Sequence, residues 1–212
     1  MIERLVPSFV ATAETRQDIL DIELFAEEER SLGRAVEKRR REFITGRACA
    51  RLALDRLGLP ATPIPAGARG EPLWPPGVVG SITHCAGYRA CAVARADEAT
   101  SIGIDAEPNA ALPDGVLEEV AFGSELQLVA SDLPMRVDRL LFSAKEAVFK
   151  AWFPLTERWL GFEDAELSIE PQTRTFRARL LVPGPVIGAV ELTELKGSWC
   201  LEDGVICTAV LV

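Results

Sequence analysis

The stretch VVGSITHCAGYRACAVARA, residues 78–96, decides how the chain folds. Val78 to Thr83 and Tyr88 to Ala94 are dominated by small apolar and β-branched residues, and Cys85-Ala86-Gly87 offers a turn between them, so the segment reads as two strands of a hairpin. SIGIDAEP, residues 101–108, follows as a third strand ended by Pro108. A long helical pattern lies on either side. Residues 23–57 divide into ELFAEEERSLG and then RAVEKRRREFITGRACARLALDRLG. Ala35, Phe43, Ala50, Leu54 and Leu57 give the second piece a helical stripe, which Gly58 and Pro60 stop. Residues 138–153, containing FSAKEAVFK (142–150), form the other long helix.

After Gly161, AELSIE, TFRARLLV, GSWCLE and VICTAVLV read as antiparallel strands, with a tight hairpin turn at Glu202-Asp203-Gly204. Residues 60–77, rich in proline and glycine, are a shaped loop, and residues 109–137 are acidic, irregular and partly helical. Helix, strands, helix, strands is the order of the α+β class. It fits two similar α+β halves, 1–100 and 101–212, packed together around one cleft. No sequence repeat, low-complexity tract or flexible linker is visible. The chain has 212 residues, 48% of them hydrophobic, enough for a sizeable core.

Composition excludes several classes. No apolar run reaches the ~18 residues of a membrane span, and LLVPGPVIGAV is interrupted by prolines and glycines. The N-terminus carries Glu3 and lacks a long apolar core, so no signal peptide is expected. Five cysteines, an odd number without a C-x-x-C, read as buried reduced thiols rather than a disulfide framework or zinc site, which makes the cytoplasm the expected compartment. A net charge of −9 disfavours general nucleic-acid binding. Yet Arg34, Lys38, Arg39, Arg40, Arg41, Arg47, Arg51 and Arg56 crowd one helical region. That region is either a local anion site or a solvated helix face. Lysine is scarce, four against 19 arginines, and two of the four are Lys145 and Lys150, a hint that compact point charges are wanted there.

Three short segments carry candidate chemistry. In GIDAEP, strand alternation turns Ile102, Ile104 and Ala106 to the core, and Asp105 and Glu107 to the other face, about 6–7 Å apart. Neighbouring carboxylates repel unless one protonates or a cation lies between them, and an oxygen-only donor set favours Mg²⁺ or Mn²⁺ over zinc. A pair of exposed acids at a strand end is the plain alternative. His84, the one histidine, ends a strand in GSITHC and is either a hydrogen-bonded structural residue or a donor to an anion. In FSAKEAVFK, Glu146 and Lys150 have the spacing and order of a surface salt bridge worth a few tenths of a kcal/mol. As a set, these anion binders, acids and lysines suit phosphoryl-group chemistry.

GEPLWPPGVVGSITHCAGY, SIGIDAEP and FSAKEAVFKAWFPLTERWLGFEDAEL, in this order, resemble the 4′-phosphopantetheinyl transferases of the surfactin-activating and enterobactin-synthetase type. The resemblance covers about residues 34–170. It implies a pseudo-dimeric monomer whose halves enclose coenzyme A and Mg²⁺. The implied reaction moves the phosphopantetheine arm to a serine of an acyl, peptidyl or aryl carrier protein and releases 3′,5′-ADP; no nucleic acid or membrane partner is implied. Position by position, the resemblance gives Asp105, Glu107 and Glu146 as metal-binding acids, with Glu146 also the base for the carrier serine. Lys150 offsets or protonates the leaving phosphate. Lys145 and His84, with Thr83 beside them, contact coenzyme A phosphates. Arg39 and Arg47 hold the 3′-phosphate, and Gly70, Glu71 and Pro72 form the adenine-side loop. Phe142 stands where relatives often have Trp, and Ala66, Ala68 and Arg69 stand where some have a loop lysine. A Mg²⁺-dependent nucleotide-diphosphate hydrolase and a non-catalytic coenzyme A or carrier-protein binding module are the competing readings.

Overall fold

A computed structural model describes residues 1–131 and 133–212; Asp132, in the segment expected to be irregular, lies outside the described residues. A 3-10 turn over Ile2–Leu5 leads into β1 (Ala11–Thr15), α1 (Ala26–Leu32), α2 (Glu37–Arg56), β2 (Val78–Cys85), β3 (Tyr88–Arg95) and β4 (Ile102–Pro108). Short helices α3 (Leu117–Val120) and α4 (Glu125–Val129) precede α5 (Val137–Thr156). The chain ends in β5 (Ala165–Glu170), β6 (Thr175–Leu180), a small hairpin of β7 (Val186–Ile187) and β8 (Val190–Glu191), then β9 (Glu194–Glu202) and β10 (Val205–Leu211). Strand β1 and the β7–β8 hairpin were not expected from the sequence.

The strands form a three-stranded sheet, β1-β3-β2, and a five-stranded sheet, β4-β10-β9-β6-β5, antiparallel throughout. The β2–β3 turn is Ala86-Gly87, since Cys85 pairs with Tyr88. The β9–β10 turn is Asp203-Gly204, with φ of 49° and 74°. Two successive left-handed residues give the primed turn whose twist matches the flanking strands.

Three apolar clusters hold the chain together. Against α2, Cys49, Ala50, Ala53 and Leu54 pack with Ala13, Ile64, Cys91 and Val93. Against α5, Leu140, Leu141, Ala147, Val148 and Trp152 pack with Leu167, Phe176, Trp199 and Ile206. The third cluster joins the halves: Tyr88, Ala90, Ala92 and Ala94 of β3 meet Ile102, Ile104 and Ala106 of β4 and Cys207 and Ala209 of β10. Strand β3 is therefore covered on both faces, by α2 and by the second half, which is why YRACAVA is nearly continuous in apolar residues.

The sheets meet at β2 and β4 through side chains. Ile104 N donates to Ser81 Oγ at 3.1 Å, and Ala106 N donates to Thr83 Oγ1 at 3.0 Å. Sequence position increases along both strands, so β2 and β4 run side by side in the same direction. Their C-terminal ends, carrying His84 on one and Asp105 and Glu107 on the other, lie together. All five cysteines are free. Among the described residues no helix is long and apolar enough to cross a membrane.

Candidate active site

Gly103 sets the geometry. A Cβ there would collide with the Ala147 carbonyl oxygen and the Ala151 backbone, so α5 lies directly against the β4 backbone. Two residues on, Asp105 meets Lys150. Lys150 Nζ donates to Asp105 Oδ1 at 2.6 Å and to the Ile104 carbonyl at 3.2 Å, while Thr83 Oγ1 donates to the same Oδ1 at 3.2 Å. Among the described residues, the buried Asp105 Oδ2 has no partner. The sequence suggested a Glu146–Lys150 pair along the helix; Lys150 instead reaches across to the strand.

Among the described residues, the Glu146 carboxylate makes no ion pair. Burial pushes its pKa above the usual range; the Lys150 charge opposes that shift and the Asp105 charge adds to it. Glu107 is also pushed up, by burial and then by Asp105, with Arg139 opposing. Arg139 Nη1 donates to Glu107 Oε2 at 2.8 Å, and its other nitrogens donate to the Ala110 and Ala111 carbonyls at 3.0 and 2.7 Å. It thus clamps the chain that leaves β4. Sequence reasoning missed Arg139, although it stands two helical turns before Glu146 and so on the same face.

These acids fit a Mg²⁺-type ion by chemistry. The donors are all oxygen, Asp105 Oδ2 is orphaned, and Asp105 raises the pKa of both glutamates through repulsion. Among the described residues, no three acids, histidines or cysteines close into a cage. Mg²⁺ does not require one, because it keeps several waters and takes one or two carboxylates.

Across the junction, Arg39 Nη1 donates to His84 Nε2 at 2.8 Å. The imidazole proton then sits on Nδ1, which lies 3.7 Å from Glu42 Oε2. Burial, followed by the Arg39, Lys150 and Arg89 charges, lowers the His84 pKa against the pull of Glu42, which keeps the ring neutral near pH 7. Arg39, Phe43 and Arg47 follow one another at four-residue spacing on α2. Arg47 is only 5% exposed, stacks 3.9 Å over the Phe43 ring and donates Nε to the Ile64 carbonyl at 2.7 Å. Its Nη2 is buried without a partner among the described residues, and burial lowers its pKa to about 10. The loop of Gly70, Glu71 and Pro72 is closed on itself: Gly67 N donates to the Glu71 carbonyl at 2.8 Å, Arg69 N donates to Glu71 Oε2 at 2.8 Å, and Pro72 pairs with Ala66. Gly70 has φ +86°, a conformation that suits glycine.

Two expected substrate contacts require correction. Lys145 leaves α5 on another side and is 3% exposed. Its ammonium donates to Val120 O at 2.8 Å, Glu125 Oε2 at 2.8 Å and Phe162 O at 2.7 Å, which uses all three N–H groups. None remains for a phosphate. Thr83 is 2% exposed, and its hydroxyl both donates to Asp105 and accepts from Ala106, so it holds the acid instead of a ligand. Asp105, Glu107, Glu146, Lys150 and His84 do come together at the β2 and β4 ends. A cavity of about 750 Å³ between the N-terminal turn and strands β5, β6 and β9 includes none of them, so size alone does not locate the chemistry.

The sequence matches two family profiles: "4'-phosphopantetheinyl transferase N-terminal domain" over residues 27–94 and "4'-phosphopantetheinyl transferase superfamily" over residues 101–209. It is 52% identical to 4'-phosphopantetheinyl transferase Svp of Streptomyces mobaraensis, over 100% of this chain and 89% of the relative. It is 47% identical to 4'-phosphopantetheinyl transferase PptT of Mycobacterium tuberculosis, over 96% and 92%, and 33% identical to enterobactin synthase component D of Salmonella typhimurium, over 85% and 74%. A two-half α+β fold with profile matches in both halves defines an enzyme of the transferase class. The chain belongs to the 4′-phosphopantetheinyl transferase family.

Proposed function

We propose that this enzyme transfers the 4′-phosphopantetheine arm of coenzyme A to a serine of apo acyl, peptidyl or aryl carrier proteins, with Mg²⁺ or Mn²⁺, and releases 3′,5′-ADP. The observation that carries the reading is the Asp105–Lys150 contact, with Asp105 Oδ2 orphaned and Glu146 desolvated and unpaired nearby.

Asp105 Oδ2 and Glu107 would hold the ion directly, and Glu146 would reach it through a retained water. When bound, the ion offsets the charge of the diphosphate. Glu146 takes the proton of the serine hydroxyl, directly or through a water, because a hydroxyl is a weak nucleophile until a base stands against it. Burial without a partner makes this carboxylate a stronger base than an exposed glutamate. The serine oxygen bonds to the phosphorus that carries the pantetheine arm, and the bond from that phosphorus to the bridging oxygen breaks. Lys150 spends two N–H groups on Asp105 and Ile104, which leaves a third for the departing ADP oxygen. Arg39, held by His84 at the opposite side of the junction, supports a role at the 3′-phosphate; Arg47 spends Nε on Ile64 and keeps its two Nη groups to offer. The preset Gly70-Glu71-Pro72 loop suits the adenine side. Free cysteines support a reducing compartment, for which we assign the cytoplasm, and the two halves within one chain support a monomer.

Intact-mass measurement after incubation with coenzyme A, Mg²⁺ and an apo carrier protein tests the reading. A gain of one phosphopantetheine on the carrier is expected. Coenzyme A cleavage without carrier modification would identify a hydrolase, and binding without turnover a binding module.

A further inference from the structure

One arrangement occurs twice in the molecule. Phe25-Ala26-Glu27-Glu28 opens α1, and Phe122-Gly123-Ser124-Glu125 opens α4. In each, the glutamate accepts from the backbone N–H of the phenylalanine three residues before it, at 2.9 Å in both cases. Each glutamate accepts a second backbone N–H from the chain that follows the long helix: Ile64 N to Glu28 Oε1 at 3.0 Å, and Leu167 N to Glu125 Oε1 at 2.7 Å. Each is paired with a cation of the long helix, Arg51 Nη2 of α2 at 2.5 Å and Lys145 Nζ of α5 at 2.8 Å. Each cation also lies over the phenylalanine ring, 4.6 Å and 5.4 Å from its centroid. Both glutamates are 0% exposed.

Three segments thus converge on one buried carboxylate in each half. A long helix cannot turn about its axis without stranding that carboxylate, and an unpaired buried charge is strongly unfavourable. In α5, residues advance about 100° around the axis per position, so fixing Lys145 fixes where Glu146 and Lys150 point. In the first half the carboxylate holds Ile64, at the root of the loop that carries Gly70, Glu71 and Pro72. Arg47 holds the Ile64 carbonyl, and Ser31 Oγ of α1 accepts from Ala66 N at 3.1 Å.

We propose that Lys145–Glu125 and Arg51–Glu28 are matched positioning devices, the first orienting the catalytic face of α5 and the second holding the nucleotide-side loop. Lys145 then acts through Glu146 and Lys150, and touches no substrate. The inference rests on the function proposed above and divides it: the α5 device governs turnover, and the α2 device governs coenzyme A binding.

The test uses two charge-neutral double variants, Lys145→Met/Glu125→Gln and Arg51→Met/Glu28→Gln, which leave no buried ion unpaired. Coenzyme A affinity is measured by calorimetry, and kcat with an apo carrier at saturating coenzyme A. The α5 variant should lose roughly tenfold or more in kcat with Kd within about threefold, since a small misplacement of reacting groups costs up to about 100-fold. The α2 variant should show the reverse, Kd raised roughly tenfold and kcat within about threefold. Lys145→Arg keeps the charge and guards against failure to fold; it should lower kcat about two- to fivefold and leave Kd unchanged. A raised Kd with unchanged kcat in any Lys145 variant makes Lys145 a phosphate ligand and overturns the proposal, as do equal effects of both double variants on both quantities. Amide exchange is read in parallel and needs no activity. Protection should fall in residues 142–150 for the α5 variant and in residues 60–77 for the α2 variant; loss spread over both halves overturns the inference. A wild-type enzyme that binds coenzyme A and modifies no carrier would sink the proposed function while leaving the exchange result to decide the positioning claim.

Discussion

The two halves share a plan and differ in charge. Each lays a 20-residue helix on an antiparallel sheet and ties it down with a buried glutamate. In the first half, α2 directs arginines to the junction: Arg39 against His84, with Arg47 beneath it. In the second half, α5 and β4 bring three carboxylates close enough for Asp105 to raise the pKa of its two neighbours. What the halves share is buried and structural, and what distinguishes them lies where they meet. A polyanionic donor such as coenzyme A gains from this inequality. One wall can hold fixed negative charge, and the other can hold a cation and a base. The comparison breaks if substitutions in the two walls have similar consequences.

The largest difference is expected between Asp105→Ala and Arg39→Ala. The first removes the partner of Lys150 and the orphaned oxygen together, and turnover should fall about 10²–10³-fold, the scale of losing a preorganised charge-stabilising group. The second removes one exposed cation, and the KM for coenzyme A should rise about tenfold with kcat little changed. Release of 3′,5′-ADP reports both. Near-normal turnover in Asp105→Ala would remove the metal assignment, and a kcat loss in Arg39→Ala as large as that of Asp105→Ala would erase the division between walls.

Glu146→Gln comes next, with turnover lowered about 10²-fold or more and coenzyme A affinity retained. The pH profile sharpens this. A base works when deprotonated, so the rate rises with pH through its pKa. Burial pushes Glu146 up and a bound cation would pull it back, so the acid limb should move to lower pH as Mg²⁺ is raised. The Lys150 charge also lowers it, so Lys150→Met should move the limb to higher pH at a fixed Mg²⁺ concentration as well as lowering kcat. A limb that stays in place in Lys150→Met argues against Glu146 as the base.

Much of this plan was legible in the sequence, and the limits follow from range. Alternation in GIDAEP correctly turned Ile102, Ile104 and Ala106 inward, and Gly87 and Asp203-Gly204 marked real turns. These are local signals, set by side-chain period and backbone conformation. Strand β1 escaped because ATAET has no clean alternation and takes its conformation from pairing with β3, nearly 80 positions away. Partners of the lysines escaped for the same reason. Lys150 chooses Asp105 over the nearer Glu146, and Lys145 chooses Glu125. Spacing along a helix says which residues share a face and nothing about what the opposite element presents. The repeated F-x-x-E was present in the sequence, but two fixed positions in four are too few to notice before both glutamates are seen in the same arrangement.

The smallest expected effects concern the contact between helix and sheet. Each half has a glycine there, but in different partners. In the first, Gly46 is on the helix, and an added Cβ would stand 3.1 Å from Ile82 Cγ2, the end of a side chain that can shift. In the second, Gly103 is on the strand, and the added Cβ would meet the backbone of α5, which cannot move without carrying Glu146 and Lys150 along. Gly103→Ala should therefore destabilise by about 2–3 kcal/mol through overpacking and lower turnover as well. Gly46→Ala gains up to about 1 kcal/mol of helix propensity against a mild contact, so its net effect should lie within about 1 kcal/mol of zero, by denaturant unfolding. Equal destabilisation at both glycines would mean that α5 sits no tighter on its strand than α2 does. The close approach would then be a property of the shared plan, and not of the half in which Lys150 must reach Asp105.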